Sequence, residues 1–253
     1  MTTRSTVSVW TAAFLLAGTG APGQEVTPLQ RREAREQYSE GEQRMRAEDF
    51  EGAVVRFRAA TRLDPRYVLA HYSLGQASMA LKRYPDALQA YQDCKEAIRS
   101  EGALEERARA EADRERRDEI RELQDSLRRL RAGKIKSASP GTDVAIEQRI
   151  RLLEQANLRG AEQRVRIPAE LSLSLGSAHF RLGHLDPAEA EYRAAVDADE
   201  RLGAAHNNLA VIHMLKGRFD EARNAIERAE QAGFAVSDQF KKDLEARAAA
   251  GPR

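Results

Sequence analysis

The chain repeats one pattern of small and apolar residues at a spacing of 34 residues. A glycine or alanine in the first half of each copy is followed by an apolar residue and then by small, large and small residues three to four apart. Four copies of one such unit predict a repeat architecture before any other feature of the sequence is considered. The matching positions are Gly41, Phe50, Ala53, Phe57 and Ala60; Gly75, Tyr84, Ala87, Tyr91 and Cys94; Gly176, Leu185, Ala188, Tyr192 and Ala195; and Ala210, Phe219, Ala222, Ile226 and Ala229.

Each copy predicts a pair of helices. The small residue in the first half lets a second helix approach closely, and the later residues form one apolar stripe on that second helix. Gly183 and Gly217 can adopt the left-handed conformation that ends a first helix. Pro85 and Pro187 suit the first turn of a second helix, where a missing N–H is not needed. Each copy is therefore predicted to be a helical hairpin.

These residues resemble the tetratricopeptide repeat, a helix-turn-helix unit of 34 residues with the pattern W-x2-L-G-x2-Y, then A-x3-F, then P. The resemblance covers residues 34–99 and 168–236. No copy has the tryptophan, Glu40 replaces the leucine in the first copy, and only Pro65 fills the closing proline position. The resemblance implies an all-α fold, a solenoid of two repeat pairs at residues 34–99 and 168–249.

Residues 100–166 separate the two pairs and have a different character. The segment is rich in charge, and the stretch KSASPGTD interrupts it with helix-breaking residues. We expect two charged helices folded back as an inserted hairpin, or a coiled coil. An intermolecular coiled coil, which would make the protein a homo-oligomer through residues 100–166, is the open alternative. The apolar residues of the two helical stripes are Ile120, Leu123, Leu127 and Leu130, and Ile146, Ile150, Leu153 and Leu158.

Residues 1–23 are typical of a secretory signal peptide. One positive charge in MTTRST precedes the apolar run VSVWTAAFLLAG and the small residues of TGAPG, with cleavage expected between Gly20 and Gly23. The run is short for a membrane-spanning helix, which needs about 20 residues. We therefore expect an exported protein, periplasmic or secreted, whose mature chain does not insert into the membrane. A retained N-terminal anchor is the alternative.

The other end of the chain predicts a capping helix. Ser237 can cap a helix in SDQFKKDLEARAAA, which carries Phe240 and Leu244. The last hairpin of a solenoid exposes an apolar edge, and a final helix of this kind covers it.

Four of the five histidines fall at two places in the repeat. Counted from repeat starts at Ala34, Val68, Ala169 and Gly203, position four holds His71 and His206, and position eleven holds His179 and His213. The resemblance implies that large packing residues stand at these places, so we interpret the histidines as packing residues. His206 and His213 would lie about 10 Å apart along a helix, too far to bind one zinc ion. We expect no metal site.

No motif for catalysis or for a cofactor occurs. The sequence has no phosphate-binding G-x-x-x-x-G-K-S/T loop, no G-x-S-x-G elbow and no pair of cysteines. Cys94, the only cysteine, is expected to be an inert core thiol and cannot form an internal disulfide. The 41 basic and 40 acidic residues give no field that would attract nucleic acid. We therefore predict a protein that is not an enzyme and has no cofactor.

A surface for partner binding remains. The resemblance implies that the first helices of successive repeats line a concave groove that receives a peptide or a helix. Amide side chains suit such a groove because they both donate and accept hydrogen bonds. We predict an adaptor or assembly scaffold of a bacterial-type cell envelope; the alternatives are a structural protein that assembles through residues 100–166, and a groove partly covered by that segment or by the last helix. The expected groove residues are Leu173, Ser177, Phe180, Asn207, Asn208, Val211, Met214 and Leu215.

Overall fold

The computed structural model describes residues 26–136, 139–159 and 166–250; the predicted signal peptide lies outside them. Within these ranges the regular structure is entirely α-helical, which confirms the predicted fold class. The helices are α1 (Pro28–Arg46), α2 (Phe50–Leu63), α3 (Val68–Ala80), α4 (Tyr84–Arg131), α5 (Thr142–Arg159), α6 (Ala169–Arg181), α7 (Leu185–Ala198), α8 (Gly203–Leu215), α9 (Phe219–Gln231) and α10 (Asp238–Ala250).

The four predicted hairpins are present. They are α1 with α2, α3 with the start of α4, α6 with α7, and α8 with α9. The repeat starts predicted at Val68, Ala169 and Gly203 are the first residues of α3, α6 and α8. Helix α1 begins earlier, at Pro28, because Thr27 and Gln30 form a reciprocal capping box that adds further turns before the repeat.

All four turns between the paired helices contain one residue in the left-handed conformation. Gly183 and Gly217 have φ values of 77° and 72°, as predicted, and Glu48 and Lys82 take the same place in the first two repeats with φ of 58° and 57°. The residue after it donates its amide hydrogen to the carbonyl five positions back, which reverses the chain sharply. These bonds join Asp49 to Arg44 (2.9 Å), Arg83 to Ser78 (2.8 Å), His184 to His179 (3.0 Å) and Arg218 to His213 (2.9 Å).

In the first three repeats, an aromatic ring of the second helix lies directly on the glycine of the first. A Cβ atom added to Gly176 would lie 2.5 Å from the ring of Tyr192, which is buried. Gly41 and Gly75 face Phe57 and Tyr91 in the same way. The fourth repeat has the buried pair Ala210 and Ile226 instead, a larger first residue with a smaller second one.

The two repeat pairs form one continuous stack despite the segment between them. Cys94 and Tyr91 of α4 share a core cluster with Leu171 and Leu175 of α6. The half-buried ion pair between Lys95 and Glu191 (Nζ to Oε1, 2.7 Å) crosses the same junction. The inserted segment therefore leaves the stacking of the second repeat on the third intact.

The inserted segment is built on a continuation of α4. This helix runs without a break through residue 100, where the sequence analysis begins the insertion, and its 48 residues span about 72 Å. Helix α5 packs against it through the buried side chains of Ile150 and Leu153. Arg149 pairs with Glu119 at 2.9 Å. Whether the segment forms a coiled coil stays a prediction, and the side chain of Leu158 lies outside the described part.

Helix α10 closes the C-terminal end of the stack, as predicted. Ser237 precedes it, and its carbonyl accepts the first helical hydrogen bond, from the amide of Lys241. Leu244 is 1% exposed and belongs to the C-terminal core cluster, against which Phe240 packs. Across the described ranges, none of the helices combines the length and the hydropathy needed to cross a membrane.

We expect the replacement Gly176→Ala to lower the free energy of unfolding by about 1–3 kcal/mol, because the new methyl group overpacks the ring of Tyr192. In a Tyr192→Ile background, which reproduces the pair of the fourth repeat, the same replacement should be neutral or stabilising. Urea unfolding of the two single variants and the double variant measures the coupling between the two positions. Additive effects would show that the ring does not require the glycine.

Candidate interaction surface

The predicted groove residues lie on helices α6 and α8, and most of them reach the surface. Leu215 is 43% exposed, and Met214 is 9% exposed. Met214 is thus a correction to the predicted set, because it packs into the C-terminal core cluster with Ile226 and Leu244. The half-exposed members are Leu173, Ser177, Phe180, Asn207, Asn208 and Val211.

Hydrogen bonds to other residues of the protein hold the polar side chains of the groove in place. The Tyr192 hydroxyl donates to Ser177 Oγ at 3.4 Å, and the Ser177 hydroxyl donates to the carbonyl of Leu173 at 2.9 Å. Burial raises the pKa of Tyr192, and hydrogen bonds of its hydroxyl with Ser177 and Asn208 act in the opposite direction. Asn207 Nδ2 donates to Asn208 Oδ1 at 3.4 Å. The side chains of Asn207 and Asn208 are thus bonded to each other, and both are half-exposed.

The inserted segment and the last helix make their main contacts elsewhere. Among the described residues, α5 packs on α4, and α10 packs on α9. Helix α5 packs on the inserted continuation of α4, and α9 is the second helix of its repeat. Apart from Met214, the predicted groove residues on α6 and α8 are half-exposed or exposed.

Two histidines fix first helices to the loops before them. His71 Nε2 donates to the carbonyl of Pro65, and His206 Nε2 donates to the carbonyl of Glu200, both at 2.9 Å. A carbonyl only accepts, so the hydrogen lies on Nε2 in both rings. Both side chains are buried, in agreement with their interpretation as packing residues. Over the described part of the chain, no three His, Cys, Asp or Glu side chains are grouped as metal ligands.

Cys94 is a core residue in the second repeat. Its side chain is 1% exposed, and its thiol donates to the carbonyl of Val68 at 3.5 Å. Burial raises the pKa of the thiol to about 11, so the reactive thiolate is scarce at neutral pH.

A buried carboxylate behind the groove was missed by the sequence analysis. Glu189 is 4% exposed and binds three cations, those of Arg193, Lys216 (2.7 Å) and Arg218. Burial alone would raise its pKa, but hydrogen bonds from Arg218 and Lys216 lower the pKa of Glu189 to about 2. The cluster ties α7 to the turn after α8. One signal was available in the sequence: Glu189 stands where the first two repeats have Val54 and Leu88.

Comparison with known families agrees with this architecture. The tetratricopeptide repeat model matches residues 38–103 and 173–235, which together make up about half of the chain. The chain belongs to the tetratricopeptide repeat family. The two matched ranges cover most of each of the four hairpins, beginning inside α1 and α6, and omit most of the inserted segment. The tetratricopeptide fold is typically a non-enzymatic scaffold for protein–protein interaction.

Several solved structures are similar to this chain at low identity. TTC0263, a thermophilic TPR protein of Thermus thermophilus, is 19% identical over 86% of this chain and 97% of its own, with a TM-score of 0.33. PilW, a type IV pilus biogenesis factor, is 14% identical over 86% and 92%, with a TM-score of 0.38. YrrB, a TPR protein with an unusual peptide-binding site, is 14% identical over 84% and 92%, with a TM-score of 0.30. No curated protein matches the chain.

We expect Glu189→Gln to lower the free energy of unfolding by about 2–3 kcal/mol at neutral pH, because three cations lose their buried partner. The folded pKa lies below the unfolded one, so the stability contributed by the carboxylate is complete above about pH 4.5 and is lost as the pH falls towards 2. Urea unfolding at several pH values should show the difference from wild type shrinking over that window.

Asp186→Asn is the matched control for this prediction. Asp186 also contacts Lys216, but its side chain is 88% exposed, so its replacement should change stability little. A loss for Asp186→Asn as large as that for Glu189→Gln would contradict the role given to burial.

Proposed function

We propose that the protein is a non-enzymatic adaptor or assembly scaffold that is exported into a bacterial-type cell envelope. It binds a segment of a partner protein, as an extended peptide or a helix, along the first helices α6 and α8. The observation that supports this most is that, among the described residues, seven of the eight predicted groove side chains on these two helices are half-exposed or exposed.

The chemistry of that surface fits a peptide. Apolar contact area is provided by Phe180 and Val211, which are half-buried, and by Leu215, which is exposed. Asn207 and Asn208 lie beside them and provide hydrogen-bond donors and acceptors, which pair with a peptide backbone running in either direction. Apolar contacts thus supply affinity, and the amides orient the bound chain.

The surface is also pre-organised. Leu173 and Phe180 pack on the C-terminal core cluster, and Ser177 accepts a hydrogen bond from the hydroxyl of Tyr192. Glu189 locks the helix that lies behind this surface to the turn after α8. Side chains that are ordered before binding lose little conformational entropy when the partner arrives, so a modest contact area is enough for binding.

The first repeat pair extends the surface. Tyr72 of α3 lies next to α6, with its hydroxyl 3.4 Å from Ser174 Oγ. Tyr38 of α1 is half-buried at the corresponding position of the first repeat. Since the four repeats stack without interruption, a long partner segment can continue from α8 across α6 towards α3 and α1.

Groove binding is tested by comparing alanine replacements on the first helix α8 with one on the second helix α9 of the same repeat. We expect Asn207→Ala combined with Leu215→Ala to weaken partner recovery in pulldowns from envelope fractions, because both side chains reach the groove surface. Asn224→Ala on α9, where Asn224 is exposed, is the control for the asparagine replacement. Undiminished recovery by the groove variant, or an equal loss by the control, would contradict the proposal.

Export is tested on the intact chain by cell fractionation and by mass spectrometry of its N-terminus. The N-terminal charge and the apolar run support cleavage between Gly20 and Gly23, so the envelope fraction should contain a chain shortened accordingly. Leu15→Arg interrupts the apolar run and should leave an unprocessed chain inside the cell. A wild-type chain that stays full-length in the membrane would favour the retained anchor instead.

A further inference from the structure

Two histidine rings meet at the turn between α6 and α7. The Nδ1 atoms of His179 and His184 are 3.5 Å apart, and the ring centroids are 5.7 Å apart at an angle of 49°. His184 is exposed and His179 is half-buried, so the space beside the two nitrogens opens to solvent. Neither ring belongs to the groove described above.

The turn itself brings these rings together. Five residues along an uninterrupted helix correspond to about 140° around its axis, so such residues point in different directions. Here the left-handed Gly183 reverses the chain, and the amide of His184 returns to the carbonyl of His179 at 3.0 Å. The equivalent turn of the first repeat places Arg44 against Asp49 in an ion pair of 2.5 Å. The backbone of the turn therefore brings the side chains of these two positions close together in both repeats. Which residues occupy the two positions decides what they can bind.

We propose that His179 and His184 form a two-nitrogen binding site for a divalent transition-metal ion such as Cu²⁺ or Zn²⁺. Imidazole nitrogens bind these ions at about 2.0–2.1 Å, and two such ligands in a tetrahedral arrangement are separated by about 3.3 Å. The observed separation of the two Nδ1 atoms is 3.5 Å, so one ion fits between them with a small adjustment of the rings.

The surroundings suit a site with two protein ligands. Imidazole binds a metal ion through an unprotonated ring nitrogen, and the exposed side of this turn leaves room for one. Glu191 is the acidic group near His179, and its carboxylate is already held by Lys95 at 2.7 and 2.9 Å. Water completes the coordination, and Cu²⁺ binds most tightly, as the general order of affinities for nitrogen ligands requires.

The test uses purified protein without a polyhistidine tag, titrated with CuSO4 and, separately, with ZnCl2 by calorimetry. We expect one equivalent to bind to the wild type and the affinity to fall by at least about tenfold in both His179→Asn and His184→Arg. His184→Arg reproduces the fourth repeat, which carries His213 and Arg218 at these two positions, so this variant keeps a turn that the chain already folds. Circular dichroism of each variant verifies its helical content.

Electron paramagnetic resonance of the Cu²⁺ complex supplies an independent readout. The wild-type spectrum should show coupling to two imidazole nitrogens, and each variant should show coupling to at most one. Added Zn²⁺ should also raise the melting temperature of the wild type and leave that of His184→Arg unchanged, because only the wild type binds the ion in its folded state. Equal affinity of wild type and His184→Arg for both ions would overturn the proposal, whatever the outcome of the groove experiments.

Discussion

The close contact between a small residue of the first helix and a large residue of the second sets the geometry of every hairpin in this protein. Where the second helix carries an aromatic ring, as at Tyr192, the first helix has a glycine whose missing Cβ gives the ring its space. Where the second helix carries Ile226, the first has Ala210. A smaller residue on the first helix is thus matched by a larger one on the second, and the four hairpins formed in this way stack on one another.

The same stacking explains how the chain tolerates a long insertion. Ala169 follows Val68 by 101 residues, whereas the starts of the other neighbouring repeats are 34 apart. The chain leaves the stack at the end of the second hairpin and returns beside the same hairpin, since Ile98 and Ile167 both pack against the cluster of Tyr91 and Leu175. An excursion that begins and ends at one place costs mainly loop-closure entropy, which grows slowly with length. The buried contacts of Ile150 and Leu153 within the segment offset part of that cost.

The 34-residue period predicted where the repeated helices begin. It did not predict side-chain interactions that cross a turn or join different helices. The first residues of α3, α6 and α8 followed from the spacing, because each apolar stripe has one register that buries it. The longer start of α1 depends on the local capping box of Thr27, which lies outside the repeat. The Glu189 cluster was missed because two of its three cations come from the end of another helix and the turn after it. Met214 was expected at the surface, but the core formed with α10 covers most of it.

The four copies within the chain also separate residues that build the fold from residues that give it chemistry. One position of the second helix is alanine in all four repeats, and its side chain is 0% exposed each time, because the packing of the paired helices leaves no room for a larger residue. These residues are Ala53, Ala87, Ala188 and Ala222. Position five of the first helix, by contrast, holds Tyr38, Tyr72, Leu173 and Asn207, all of them half-buried. The two residues that meet across the turn between the paired helices also vary. They form an ion pair in the first repeat and are both histidines in the third. Side chains at these positions can differ without altering the contacts between helices. Such positions can therefore carry residues that bind a partner or an ion. A repeat scaffold can therefore acquire a partner surface and an ion site at separate places without changing the interaction that holds it together.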